Sequence, residues 1–240
     1  VTRFLLLLLI SCNCLHAKTL VTLYTYYDKP PFIVSIQDKV GLSFDFAKKL
    51  SKFSQLNTYQ VKYFPKKRAL SRLADSGAIL WVNPHWIDDK NQIKYLWTKE
   101  LVFERELYVS NDQNLRFTDE SSLYGKTLIG VRGYNYFNLD PHVSQQQIKR
   151  LDVDNETLIP KMLIMGRGDF GVIGLQTFAY LIRDNQLYQH NLYILTGYTK
   201  YFGRSIAISA NELDIKRDIS RFIQSNTWKM LSKKWLVEVD

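Results

Sequence analysis

Short β-rich stretches and amphipathic helices alternate along this chain in two successive rounds, and that alternation limits the possible folds more than any other feature. Residues 20–26 (LVTLYTY) form a β-rich run, closed by Asp28-Lys29-Pro30-Pro31, where two prolines forbid a continued strand ladder. Ser43 is placed to cap a helix whose Phe46, Leu50 and Phe53 make one apolar stripe. Residues 61–64 read as a second strand, Lys66–Asp75 as a second helix with Ala69, Leu70 and Leu73 inward, and residues 79–82 as a third strand. Parallel neighbours need a long crossover, so a β-α-β-α-β order predicts a parallel sheet flanked by helices.

The pattern restarts after Asn111. Thr127–Val131 reads as a strand, and residues 156–165 as a helix with Leu158, Met162 and Met165 on one face. The glycines of Gly166-Arg167-Gly168-Asp169 end that helix rather than cradle a phosphate. A buried strand, Phe170–Gly174, follows, then a helix through Phe178, Leu181 and Ile182, and a strand over 192–195. Beyond residues 204–209 two helices close the chain, one burying Ile215, Ile219, Phe222 and Ile223, the other Trp228, Leu231 and Trp235. The fold class predicted is α/β, in two lobes. No tandem repeat, linker or low-complexity tract interrupts it.

The first 17 residues read differently. Arg3 precedes the apolar run Phe4-Leu5-Leu6-Leu7-Leu8-Leu9-Ile10, and small or polar residues lead to Ala17, the layout of a secretory signal peptide. The run is much shorter than the roughly 20 apolar residues that span a bilayer. Both cysteines, Cys12 and Cys14, lie here, so cleavage after Ala17 leaves a mature chain without cysteine. Leu9-Ile10-Ser11-Cys12 also resembles a lipobox, which makes lipid anchoring at Cys12 the alternative to cleavage after Ala17.

The formal net charge of +9 raises nucleic acid, an anionic membrane surface or an anionic ligand as partners. The basic residues are scattered, however, and only Lys66-Lys67-Arg68 forms a run, as on a solvated surface. Export argues against nucleic acid.

Four segments in order resemble the family 3 bacterial extracellular solute-binding proteins, the amino-acid-binding type of ABC-transporter component. They are Tyr26-Tyr27-Asp28-Lys29-Pro30-Pro31-Phe32, then Gly41-Leu42-Ser43-Phe44-Asp45-Phe46-Ala47-Lys48-Lys49-Leu50, then Leu123-Tyr124-Gly125-Lys126-Thr127-Leu128-Ile129-Gly130-Val131, and last Gly166-Arg167-Gly168-Asp169-Phe170-Gly171-Val172-Ile173. The resemblance covers nearly the whole mature chain. It implies a periplasmic-binding-protein-like fold of type II, each lobe a mostly parallel sheet flanked by helices, with a two-strand hinge. Residues 18–106 with 204–240 would form one lobe and 107–203 the other, with crossings near 104–109 and 201–206. The resemblance implies a monomer in the periplasm. It would close on a small-molecule ligand by hinge motion and present it to an inner-membrane ABC permease or a sensor.

The departures from that family's pattern bear on the ligand. Amino-acid binders hold the carboxylate with an Arg shortly after the third strand; here Asn83-Pro84-His85-Trp86-Ile87-Asp88-Asp89-Lys90-Asn91 has none. The acidic residue that takes the ammonium is replaced by Gly174, with Leu175 and Gln176 beyond. An ordinary α-amino acid is therefore not the expected ligand. Loops at the carboxyl ends of parallel strands line ligand crevices, which nominates Tyr26 and Tyr27 after the first strand and Asn83, His85 and Trp86 after the third. Trp81 suits either a ligand face or the core. In the second lobe Arg132, beside the permissive Gly133, opens a segment with Tyr134, Asn135 and Tyr136. Pro65-Lys66-Lys67-Arg68-Ala69 resembles a family segment whose Arg enters the cleft, so Arg68 joins the candidates.

Catalytic signals are weak. The histidines outside the leader, His85, His142 and His190, lack metal-ligand spacing, and no nucleophile elbow or phosphate loop is present. Asp88-Asp89 and Asp152-x-Asp154 read as acidic turns on a solvated face. Only His85 and Glu104 stand as acid–base candidates, and nothing calls for a metal or organic cofactor. A binding protein is the leading expectation, with a sensor or scaffold lacking a working cleft, or a dehydratase-like enzyme, as the alternatives.

Overall fold

The computed structural model describes residues 17–183, 185–198, 200–235 and 237. The signal-peptide reading and Cys12 lie outside the described residues. In the first lobe β1 (Thr19–Thr25), α1 (Leu42–Phe53), β2 (Asn57–Tyr63), α2 (Lys66–Asp75) and β3 (Ala78–Val82) alternate, and β1 runs parallel to both β2 and β3. A two-residue β4 (Leu96–Trp97) precedes the long β5 (Val102–Ser110), which leads into the second lobe. There β6 (Thr127–Val131), α3 (Asp140–Ser144), β7 (Lys149–Val153), α4 (Ile159–Ile164), β8 (Phe170–Gly174), α5 (Leu175–Ile182), α6 (Gln186–Asn191) and β9 (Tyr193–Ile194) follow, with β6 parallel to β7 and β8. The chain returns along β10 (Lys200–Ile208) and ends in α7 (Leu213–Phe222) and α8 (Asn226–Lys234).

The hydrogen-bonded strand order is β2-β1-β3-β10-β5-β8-β6-β7. Its centre is the antiparallel pair β5·β10, in which residues 102–106 face residues 200–204. Beyond that pair β10 joins β3 of the first lobe, and β5 joins β8 of the second. The two strands are thus both the connection between lobes and part of each lobe's sheet.

Separate cores fill the lobes. The first packs Leu23, Phe46, Leu50, Leu73, Ile79 and Trp81 against Ile206, Ile219, Phe222 and Trp228 from the end of the chain. Phe46 stands edge-on to Trp81, Phe222 and Trp228 at 5.4, 5.3 and 5.7 Å between ring centroids, a favoured aromatic geometry. Trp235 donates its indole N–H to Asp45 of α1 at 3.0 Å, which ties the terminal helix to the first lobe. The second lobe holds two clusters, centred on Ile129, Ile159 and Ile173 and on Tyr108, Leu128 and Phe170.

Two local readings change, those of Ser43 and Asp89, and Trp81, open between ligand face and core, falls in the core. Ser43 lies inside α1, whose cap position is Gly41, and its hydroxyl instead accepts the Trp81 indole N–H at 2.8 Å. Trp81 is a core residue without exposed surface. Asp89 is buried rather than solvated, and its carboxylate gathers the backbone N–H groups of Ile93 and Lys94 and the indole N–H of Trp97, at 2.8 to 3.0 Å. A turn closed by several donors needs one concentrated acceptor, and a carboxylate supplies it.

Candidate ligand cleft

A cavity of about 1070 Å³ opens between the lobes, with β5 and β10 at its floor. At the floor Arg204 and Glu104 face each other across the hinge strands. The Arg204 guanidinium donates two bonds to Glu104 Oε2 and a third, at 2.9 Å, to the carbonyl of Trp81. That carbonyl is turned toward Arg204 by an irregularity: β3 carries one residue more than β10 between paired positions, and Trp81 takes a left-handed φ of 62°. Extra residues of this kind re-aim a strand next to functional sites. The strained conformation costs about 1–3 kcal/mol and persists because the surrounding core fixes it.

Four rings surround the same guanidinium. The centroids of Tyr27, Trp86, Phe32 and Phe202 lie 4.6, 4.8, 5.0 and 5.3 Å from its carbon, forming an aromatic box already filled by the protein's own cation. Lys29 completes the floor. Its ammonium lies 2.7 Å from Glu156 and 3.4 Å from Glu104, and all four charged side chains are buried. Lys29 comes from the first lobe and Glu156 from the turn before α4 in the second, so the pair spans the cleft. Thr177 donates to the carbonyl of Pro30 at 2.7 Å beside it, a second link between lobes.

The charges support one another. Burial alone would raise the Glu104 pKa, but Arg204 and Lys29 outweigh it and hold the carboxyl below its ordinary range. Burial likewise pushes Lys29 down, and Glu104 and Glu156 reverse that, so the ammonium stays charged. Gly174 makes room for the arrangement: a Cβ there would fall on the Glu104 carboxylate, and its N–H donates to Glu156 at 3.2 Å. Glu106, one ladder step deeper into the second lobe, behaves differently. Burial raises its pKa, which the Tyr198 hydroxyl, bonded at 2.5 Å, and Lys200 only partly offset.

Eight of the nine sequence candidates line this cavity: Tyr26, Tyr27, Asn83, His85, Trp86, Arg132, Tyr134 and Asn135. Tyr26 and Tyr27 stack at 4.4 Å and share a hydroxyl–hydroxyl bond. Asn83 is held by bonds from its amide to the Gly203 carbonyl and from the His85 N–H to its oxygen, which fixes the turn that carries Trp86. His85, Arg132 and Asn135 are exposed at the mouth. Arg68 does not line the cavity. It stands exposed with its guanidinium 5.8 Å from the Phe64 ring, while Lys66, two positions earlier and so on the other side of the helix, takes the cleft edge.

Of the floor, sequence reasoning singled out Glu104, as an acid–base candidate, and missed Lys29, Glu156 and Arg204. Lys29 falls in the turn Asp28-Lys29-Pro30-Pro31, Glu156 at the start of the helix read over 156–165, and Arg204 in the crossing read near 201–206. Arg150 was also missed. It bonds the carbonyls of Val131 and Tyr134 and lies 5.1 Å from the Tyr136 ring, so it braces the loop that carries Arg132 and Tyr134. A lone charge inside an otherwise uncharged strand segment, as Arg204 is in 203–208, was the available signal.

Solved structures share this fold. An ancestral arginine-binding protein bound to arginine superposes with a TM-score of 0.71 at 15% identity, over 92% of this chain and 99% of that one. The fold is that of periplasmic amino-acid-binding proteins. A histidine kinase sensor domain similar to periplasmic binding proteins matches with a TM-score of 0.68 at 14% identity, over 93% of this chain and 99% of the other. An ancestral amino-acid-binding protein that is a precursor of cyclohexadienyl dehydratase matches at 0.65 and 14%, over 90% and 95%. No protein-family model and no curated protein matches the chain by sequence. Among the described residues no helix is long and apolar enough to cross a membrane, and no three His, Cys, Asp or Glu side chains gather as for a metal.

Proposed function

We propose that this chain is an exported solute-binding protein that captures a small molecule between its lobes and presents it to an inner-membrane ABC permease. One observation carries the reading: a cavity large enough for a small solute is lined by side chains from both lobes and floored by the two strands that join them. A ligand touching both walls favours the closed arrangement over the open one, and that difference is what a membrane partner reads. The lobe limits at residues 106/107 and 203/204, the export signal and the monomeric state belong to this reading.

Binding rather than catalysis is favoured because Glu104 is held ionised by two cations, so it is not poised to exchange a proton. Glu106, buried with a raised pKa, is the group on which a dehydratase-like reading would rest. A sensor domain is the second reading, supported by the floor being filled by the chain's own cations.

A thermal-shift screen against amino acids, organic acids, sugars and polyamines tests the proposal. A ligand at about 100 times its Kd adds about 2.7 kcal/mol of stability. A hit that is recovered unchanged and that Trp86→Ala abolishes supports a binding protein. Turnover would replace it with the enzyme, and no hit would replace it with the sensor.

A further inference from the structure

The cations of the cleft fall into two groups. Arg204 and Lys29 are spent on the protein itself: the guanidinium fills the aromatic box and bonds Glu104, and the ammonium sits on Glu104 and Glu156. These are the places where a cationic solute would find rings and carboxylates, and they are taken. The second group lies at the mouth and is more loosely engaged. Neither Lys66 of α2 nor Lys200 of β10 has a carboxylate at ion-pairing distance among the described residues. Arg132 meets Asp154 only at 3.5 Å, with both side chains largely exposed. Of the acids lining the cavity, Glu104 and Glu156 hold the floor cations, and Glu106, across the ladder from Lys200, is buried under the Tyr198 hydroxyl with a raised pKa; Glu100 is left against Lys66, Lys200 and Arg132.

Rings accompany these cations. Lys200 lies 5.5 Å from the Phe137 ring, and Tyr63 and Tyr26 line the cavity beside the Lys66 edge. Lys66 is exposed, and the protein beside it still lowers its pKa by desolvation, with no carboxylate close enough to offset the effect.

We infer that the cleft selects a small anion with a flat or aromatic body, such as an aryl carboxylate, and rejects cationic solutes because its own Arg204 and Lys29 occupy the cation sites. The ring packs among Tyr26, Trp86 and Tyr134, and the carboxylate meets Lys66 and Lys200 at the rim. The inference rests on the cleft being a ligand site.

Calorimetric titration of the purified protein with three probes that share one ring and chain tests it: 3-phenylpropionate, 3-phenylpropan-1-ol and 3-phenylpropan-1-amine, with L-arginine as a fourth. The acid is expected to bind saturably and at least about tenfold more tightly than the amine or L-arginine. The double variant Lys66→Gln with Lys200→Gln, both exposed and so compatible with folding, should weaken the acid by about tenfold and leave the alcohol within about twofold. No binding of the acid, equal binding of the amine or arginine, or an unchanged acid affinity in the double variant overturns the inference. If a sugar or other neutral solute from the wider screen then binds and Trp86→Ala abolishes it, the cleft remains a ligand site and only the ligand class falls. If no solute binds, both fall.

Discussion

The Lys29 ammonium, carried by the first lobe, lies 2.7 Å from the Glu156 carboxylate of the second, with both side chains buried. Lys29 also faces Glu104, so removing it leaves Glu156 with no cation at ion-pairing distance among the described residues, and Glu104 with only Arg204 among them. Breaking one side of a buried pair costs about 3–5 kcal/mol, mostly through the uncompensated partner. Lys29→Met should lose about that much stability in urea unfolding, and adding Glu156→Gln should recover a large part. Additive losses would show that the two side chains are not energetically coupled.

Glu106 predicts a pH dependence of opposite sign to that of Glu104. Its raised pKa means that the folded state holds the proton more tightly. Its contribution is full below the unfolded carboxyl pKa, about 4.3, and is lost as pH rises through the folded value. Glu106→Gln keeps an oxygen for the Tyr198 hydroxyl and removes the charge. The variant should be more stable than wild type at pH 7, with the gap closing toward pH 4. A constant gap across pH would show that the effect is steric.

Gly174 marks the closest approach of the floor. Alanine there would collide with the Glu104 carboxylate, which Arg204 and Lys29 pin in place. Gly174→Ala should destabilise by about 1–3 kcal/mol, the range for overpacking a filled interior, and lower the melting temperature accordingly. A variant as stable as wild type would mean that Glu104 moves freely.

Asp89 offers a test away from the cleft. Asp89→Asn replaces one carboxylate oxygen with an N–H₂, which then faces either the N–H groups of Ile93 and Lys94 at Oδ1 or those of Tyr95 and Trp97 at Oδ2. A loss of about 1.5–3 kcal/mol is expected for bonds to a charged acceptor. Trp97 fluorescence should shift toward that of a wetter indole.

The fold was legible because its signals are local. Strands such as Phe170–Gly174 are bounded by glycines, and the stripe of α1 repeats at helical spacing. What escaped were segments whose burial comes from distant partners. β7 reads as polar because it is an edge strand with four of its five residues not buried. The cleft rim was visible for the same reason as the fold, since Tyr26, Asn83 and Arg132 follow recognisable strands. The floor was not: Lys29 and Glu156 stand 127 positions apart, and Arg204 and Glu104 stand 100 apart. Nothing local tells a buried pair from two surface charges.

The β5·β10 ladder has a mechanical consequence. Residues 102–106 and 200–204 are paired where the chain passes between lobes, so closing the cleft cannot proceed by letting two loose tethers swing. The movement available to a paired ribbon is a change of twist, shared over several residues, with the hydrogen bonds kept. Glu104 and Arg204 sit on opposite strands of that ribbon and grip each other across it. On the proposed function the ribbon would act as a torsion spring with a rivet at its middle, and the stiffness of that rivet would set how far a bound solute could pull the lobes together.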